Sequence, residues 1–170
     1  MTDQDTSART DEPQQAPRET GPLEAAQAAG RKLNVFFDVD NTLIMWNGKL
    51  RNHAHDVFQA LRDAGHTIYV WSGVGIRRWD MKRHNLDEYV EDYFIKPLEK
   101  HHEKLDALGV PLVPDFVIDD HKQVVDAFGG YHIPDEAGPN DEELLKVLAL
   151  INEFATLGDV EEPGDDVAVE

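Results

Sequence analysis

Four carboxylates and one hydroxyl occupy positions in this 170-residue chain where a short apolar run ends: Asp38, Asp40, Ser72, Asp119 and Asp120. A carboxylate can act as a nucleophile, and a second carboxylate two residues later can serve as a general acid and base. Carboxylates that converge without a cation repel one another, whereas Mg²⁺ accepts hard oxygen ligands. The residue types therefore predict metal-assisted chemistry, provided that the fold brings them together.

Apolar runs alternate with stretches of helical periodicity along the chain. Strands are expected at Leu33–Phe37, Thr67–Trp71, Pro114–Ile118 and Gly130–Ile133. Helices are expected from about Asn52 to a cap at Gly65, at Ile76–His84, around Leu98, Leu105 and Leu108, at His121–Phe128 and at Asp141–Phe154. Val90–Ile95 is expected to be a short irregular or extended segment. This alternation predicts a three-layer α/β domain with a mostly parallel sheet. In such sheets, sites form at the carboxyl ends of the strands.

The composition excludes several chemistries. The chain has no cysteine, so a disulfide framework, a thiolate nucleophile and a cysteine metal site are excluded. Its 16 basic and 34 acidic residues give a net charge of −18, which argues against a nucleic-acid partner. Neither an export signal nor a membrane-spanning run is recognisable, and we therefore expect a cytoplasmic protein without a membrane partner.

Much of the negative charge lies near the ends of the chain. Residues 1–30 carry a net charge of −4 and residues 152–170 carry −7, with few large apolar side chains between the charges. Such composition is typical of disordered segments. We therefore expect acidic tails at residues 1–30 and 156–170 and one folded domain at residues 31–155.

Four segments in this order, FFDVDNTLI, TIYVWSG, FIKP and PDFVIDD, resemble the motifs of the haloacid dehalogenase-like (HAD) hydrolase superfamily. The first segment is the most specific, because an apolar strand, a DxDxT pattern and a following apolar pair coincide. The resemblance covers about Leu33 to Ile133. It implies a Rossmann-like sheet and a Mg²⁺-dependent phosphatase.

The resemblance also implies a role for each matching residue. Asp38 becomes the nucleophile that forms an aspartyl phosphate, and Asp40 becomes the general acid and base. Ser72 holds a phosphoryl oxygen, and Lys96 neutralises the phosphate. Metal ligands are expected at Asp38, Asp119 and Asp120, and at Asp40 through its backbone carbonyl. The residue types suit these roles, since a carboxylate attacks an anionic phosphate poorly until neighbouring cations neutralise charge.

Each assignment has a simpler alternative. Ser72 and Gly73 could form only a turn, and Asp119 and Asp120 could cap the following helix. The motif lysine could instead be Lys100, Lys104 or Lys122.

Several neighbouring residues receive structural or solvent-exposed interpretations. Arg77 and Arg78 are assigned to a solvated helix face, although either could meet a second anionic group. Trp46 lies in Met45–Leu50, where the family has a small flap, or closes the edge of the core. The histidines form no closed set of ligands, but His121 could border the pocket.

Spacing bears on the size of the substrate. Only 33 residues separate Asp38 from Ser72, and 23 separate Ser72 from Lys96. Neither interval has room for a cap domain, so we expect an open site and a phosphorylated substrate that could be bulky or macromolecular.

Two other functions stay open. One is a phosphoacceptor switch like a response-regulator receiver, which uses similar residues in another order. The other is a HAD-like binding module without activity, whose acidic tails dock a basic partner.

Overall fold

The computed structural model describes residues 30–157. The rest of the two predicted acidic tails, residues 1–29 and 158–170, lies outside the described residues. The last helix continues through Leu157, two residues beyond the predicted end of the domain at residue 155. No helix in the described range is long and apolar enough to cross a membrane.

Five strands form a single parallel sheet. They are β1 (Asn34–Phe37), β2 (Thr67–Ser72), β3 (Val90–Ile95), β4 (Phe116–Asp119) and β5 (Gly130–His132). Their spatial order is β3-β2-β1-β4-β5, and each neighbouring pair is parallel. Continuous apolar runs such as that of β1 suit a parallel sheet, because helices and loops cover both of its faces. The predicted α/β class is therefore confirmed.

Helices and a turn-rich segment form the two outer layers. The helices are α1 (Ala54–Asp63), α2 (Arg78–Arg83), α3 (Lys122–Phe128) and α4 (Glu143–Leu157), with a 3₁₀-helix at Asp87–Tyr89. Helices α1, α2 and α4 contribute to the core on one face of the sheet, and α3 contributes to the core on the other. Residues 30–157 contain no separate cap domain.

Alternation along β1 divides the core into two clusters. Val35 and Phe37 belong to the cluster with α1 and α4, whereas Phe36 belongs to the cluster with Trp71 and Val117. Successive side chains of a strand point to opposite faces, so one short run supplies both clusters. The ring centroids of Phe36 and Trp71 lie 4.7 Å apart. Burial on both faces holds β1 at the centre of the sheet.

Helix α1 ends as the glycine pattern predicts. Gly65 has a φ of 84° and donates its N–H to Arg62 O, and the next N–H, of His66, reaches Leu61 O at 3.0 Å. These two bonds make a Schellman motif, which needs a left-handed residue that glycine adopts without strain.

One element prediction is confirmed in its extended alternative, and another needs correction. Val90–Ile95 is extended and pairs with β2 as a strand, with a register shift between Ile68 and Tyr69 of β2. The helix predicted around Leu98, Leu105 and Leu108 is instead a series of turns. Lys100 has a φ of 46°, which interrupts a right-handed helix, and Leu98 is 67% exposed. Only Leu105 of the three leucines is buried, so the apolar spacing does not mark a helix face.

His66 generates a prediction about pH and stability. Its side chain is buried, and its Nδ1 accepts the Leu33 N–H at 3.1 Å. Burial, with a smaller effect of Lys32, lowers the pKa of His66 below its ordinary value of 6.5. The unfolded chain therefore takes up more protons as the pH falls through 6.5, and the stability that neutral His66 contributes above this pH is lost.

We expect the free energy of unfolding to fall more between pH 7.5 and pH 5 in the wild type than in His66→Asn. Asparagine can accept the same N–H but does not titrate. Urea unfolding at several pH values measures both slopes, and equal slopes would contradict the assignment.

Candidate active site

The candidate site lies where the direction of chain progress across the sheet reverses. From β1 the chain builds β2 and β3 on one side, and it then crosses to β4 and β5 on the other. Helix α1 packs on one face and α3 on the opposite face, which leaves a crevice at the carboxyl ends of β1 and β4. Ligands bind at such switch points in open α/β sheets. Asp38 follows β1, and Asp119 ends β4.

A buried lysine joins these two strand ends. Lys96 Nζ lies 3.0 Å from Asp38 Oδ1 and 2.8 Å from Asp119 Oδ2. The three residues are at most 4% exposed. The Lys96 N–H donates to Ser72 O at 3.0 Å, which continues the pairing of β3 with β2 and aims the side chain across the sheet edge. The structure thus brings together the predicted nucleophile, the predicted motif lysine and one predicted metal ligand.

The buried charges influence one another. Burial alone would lower the pKa of Lys96, but the carboxylates of Asp38 and Asp119 outweigh it and raise that pKa. Burial and then the charge of Asp38 raise the pKa of Asp119, although Lys96 opposes them. One ammonium group therefore holds two carboxylates, and the buried site keeps an excess of negative charge.

Asp120 and His121 extend the acidic group towards solvent. Burial, followed by the hydrogen bond and charge of Asp38, raises the pKa of Asp120 to about 6. His121 Nδ1 lies 3.2 Å from Asp120 Oδ1, and the His121 N–H donates to Asp119 Oδ1 at 2.9 Å. Ligand atoms of Asp38, Asp119, Asp120 and His121 all lie within 4.8 Å of one another. Three carboxylates at this separation can hold a divalent cation, and the predicted ligands of β1 and β4 therefore converge.

The loop after β1 is tightly wound around a carbonyl. Val39 O accepts the N–H groups of Leu43 and Ile44 at 2.9 and 3.0 Å, and Asn41 has a φ of 59°. Asparagine tolerates this left-handed conformation better than most residues. The winding places Thr42 Oγ1 3.2 Å from Asp38 Oδ2. Both oxygens of Asp38 thus have hydrogen-bond partners, which holds the carboxylate in one orientation.

The side chain of Asp40 lies apart from the acidic group. Arg77 Nη1 and Nη2 donate to its two oxygens at 2.6 and 3.0 Å, and Arg77 Nε donates to Asp80 Oδ2 at 2.7 Å. Arg77 is only 17% exposed, so its assignment to a solvated face needs correction. One signal in the sequence pointed to Arg77, since it caps the helix that begins shortly after the Ser72 strand end.

Ser72 lines the same cleft as Asp38. The cleft has a volume of about 220 Å³, and Asp40, Lys96 and Asp120 also line it. Ser72 Oγ accepts the N–H of Val74 at 3.3 Å and lies 3.5 Å from Arg77 Nη1. The serine therefore combines the predicted turn role with a position facing the cleft.

The alternative motif lysines and Trp46 lie outside the cleft lining, whereas His121 belongs to it. Lys104 pairs with Glu99 at 2.7 Å and Lys122 pairs with Asp126 at 2.6 Å, both outside the cleft lining. Trp46 is 85% exposed, so the proposal that it closes the edge of the core is wrong. His121 lines the cleft, as expected for a residue directly after the acidic pair.

Comparison with models of known protein families and with curated proteins finds no match for this chain.

The buried ion pairs predict a large effect of Lys96→Met. Methionine fills similar space but leaves the carboxylates of Asp38 and Asp119 without their cation, which should cost about 3 kcal/mol of unfolding free energy. Denaturant unfolding in a chelating buffer measures the loss.

The control is Lys122→Met, which removes an exposed pair and should cost no more than about 0.5 kcal/mol. Equal stabilities of the two variants would refute the buried pairing.

Proposed function

We propose that the protein is a HAD-like, Mg²⁺-dependent phosphoric monoester hydrolase that acts through Asp38. One observation carries the proposal: the Asp38 carboxylate is held between Lys96 and Thr42 in a cleft that Ser72 and Asp120 also line. A nucleophilic carboxylate needs a fixed orientation and neighbouring positive charge before it can attack an anionic phosphate.

In the proposed first step, an Asp38 oxygen attacks phosphorus while the bond to the ester oxygen breaks. An aspartyl phosphate forms, and Asp40 gives a proton to the departing alkoxide. In the second step, Asp40 takes a proton from water, the water oxygen attacks phosphorus, and Asp38 is released with inorganic phosphate. Lys96 balances the charge of the phosphoryl group, and the Ser72 hydroxyl donates to one of its oxygens.

The donor set fits the proposed Mg²⁺. Asp38, Asp119 and Asp120 offer hard oxygen ligands on one side of the cleft, and the resemblance adds the Asp40 carbonyl. Burial, and after it the interaction with Asp38, raises the pKa of both Asp119 and Asp120, and a divalent cation would offset the negative charge gathered there. When bound, the ion supplies charge neutralisation for the approach of an anionic substrate.

The cleft is open to solvent, which favours a substrate that is bulky or macromolecular. Val74 is 80% exposed and Leu98 is 67% exposed, and both line the cleft. Because residues 30–157 include no cap domain, the phosphoryl group of a bulky or macromolecular substrate could reach Asp38 directly. We also propose that the protein is cytoplasmic and acts without a membrane or nucleic-acid partner.

A phosphoacceptor switch is the second candidate. It is favoured by the ion pair between Asp40 and Arg77, which engages both carboxylate oxygens of the proposed acid and base. If this pair persists, water is activated poorly and the phosphorylated Asp38 survives. A binding module without activity would form no phosphoprotein at all.

Hydrolysis of p-nitrophenyl phosphate with and without Mg²⁺ tests the proposal. We expect metal-dependent turnover in the wild type and a loss of at least about a thousandfold in Asp38→Asn, because the amide is not a nucleophile.

The matched control is Asp126→Asn, which changes an exposed carboxylate on α3 and should retain wild-type turnover. A stable phosphoprotein without turnover would replace the hydrolase with the switch. No turnover and no phosphoprotein would refute both the hydrolase and the phosphoacceptor switch.

A further inference from the structure

We propose that Arg77 binds the phosphoryl group of the substrate and exchanges Asp40 for it when the substrate enters. This inference rests on the proposed function and concerns a residue to which the sequence motifs assign no role. It makes the ion pair between Arg77 and Asp40 the resting arrangement of the site.

The first argument is the position of the guanidinium group. Arg77 Nη1 lies 2.6 Å from Asp40 Oδ2 and 3.5 Å from Ser72 Oγ, and both of these side chains line the cleft. The Nε donates to Asp80 Oδ2 at 2.7 Å, three residues further along α2. Asp80 therefore anchors the guanidinium at the cleft, while the two Nη groups face ligands that can change.

The second argument is that a phosphoryl group can take the place of the Asp40 carboxylate. Two Nη groups bind the two carboxylate oxygens in a fork, and a phosphoryl group presents a similar pair of anionic oxygens to the same donors. The exchange thus replaces one charge-assisted pair with another. It also adds a positive group beside a cleft whose lining, within residues 30–157, sets Lys96 against the carboxylates of Asp38, Asp40 and Asp120.

The third argument is the difference in exposure between the two ionic groups of the site. The Asp40 side chain is 54% exposed, so water can solvate it once Arg77 leaves. Asp38 and Asp119, by contrast, are buried against Lys96 and cannot exchange partners cheaply. Substrate entry should therefore open the Arg77 pair and leave the Lys96 pairs in place, which frees the Asp40 side chain for its proposed role.

The neighbouring arginine supplies a matched control. Arg78 is 54% exposed and lies 3.8 Å from Asp92 and 4.0 Å from Asp87, and its guanidinium stands over the Tyr93 ring. None of these three partners lines the cleft, whereas Asp40 and Ser72, the partners of Arg77 Nη1, both line it. Removing its charge changes the overall charge as Arg77→Met does, but should leave phosphate binding unchanged.

The test compares wild type, Arg77→Met and Arg78→Met in two measurements made with Mg²⁺. Calorimetric titration gives the Kd for inorganic phosphate, and steady-state kinetics with p-nitrophenyl phosphate gives kcat and KM. We expect Arg77→Met to raise Kd and KM by about tenfold or more, the effect of losing charge-assisted hydrogen bonds. Arg78→Met should stay within about twofold of wild type in both constants, as is usual for a surface change away from the site.

Arg77→Lys guards against a folding defect in Arg77→Met. Lysine keeps the charge but lacks the fork, so its Kd should lie between those of wild type and Arg77→Met.

Unchanged Kd and KM in Arg77→Met, or a raised kcat with unchanged Kd, would overturn the inference, because Arg77 would then only restrain Asp40. If wild type binds phosphate and hydrolyses the ester while the Arg77 variants behave like it, only this inference fails. If wild type does neither, the proposed function fails with it.

Discussion

The buried ammonium group of Lys96 is the contact on which the site depends. It joins Asp38 after β1 to Asp119 at the end of β4, although it lies 58 positions after Asp38 and 23 positions before Asp119 in the chain. A buried charge is costly unless its partners are well placed, so the two ion pairs of Lys96 require accurate alignment of the strands. The register supplies that alignment, because Phe37 faces Val70 of β2 and Ile118 of β4 in the ladder. The strand alignment that packs the sheet therefore also positions the side chains at the carboxyl ends of its strands.

Most of the fold could be predicted because burial on both faces leaves a clear pattern. The runs before Asp38, Ser72 and Asp119 are continuous and apolar, and each is a central strand of the sheet. Strand β3 was harder to predict, since Glu91 and Asp92 are exposed at the sheet edge and interrupt the apolar pattern. The turn-rich segment around Lys100 escaped prediction for the opposite reason. Its leucines have helical spacing, but the left-handed Lys100 separates Leu98 from Leu105 and Leu108. No local sequence pattern predicts that conformation.

The candidate site could be predicted only where a side chain follows its strand directly. The carboxyl ends of parallel strands lie on the same side of the sheet. The topology alone therefore brings together the residues at these ends, which are Asp38, Ser72, Lys96 and Asp119. Arg77 lies five residues beyond Ser72, and its position depends on the intervening turn and on the Asp80 anchor. Asp40 likewise depends on how the loop winds around Val39 O. Local sequence does not determine where the Arg77 and Asp40 side chains point, so the contact between them could not be predicted.

The net charge of −18 gives no hint of how the site balances its carboxylates. Two cations pair with four of them, in two groups that differ in burial. Lys96 holds Asp38 and Asp119 away from water, whereas Arg77 holds Asp40 and Asp80 at the rim. Electrostatic interactions weaken with solvation, so we expect the pair at the rim to exchange its carboxylate for another anion more readily than the buried pairs do. A site built in this way would keep the proposed nucleophile, Asp38, fixed and let Asp40 exchange its partner when an anion enters.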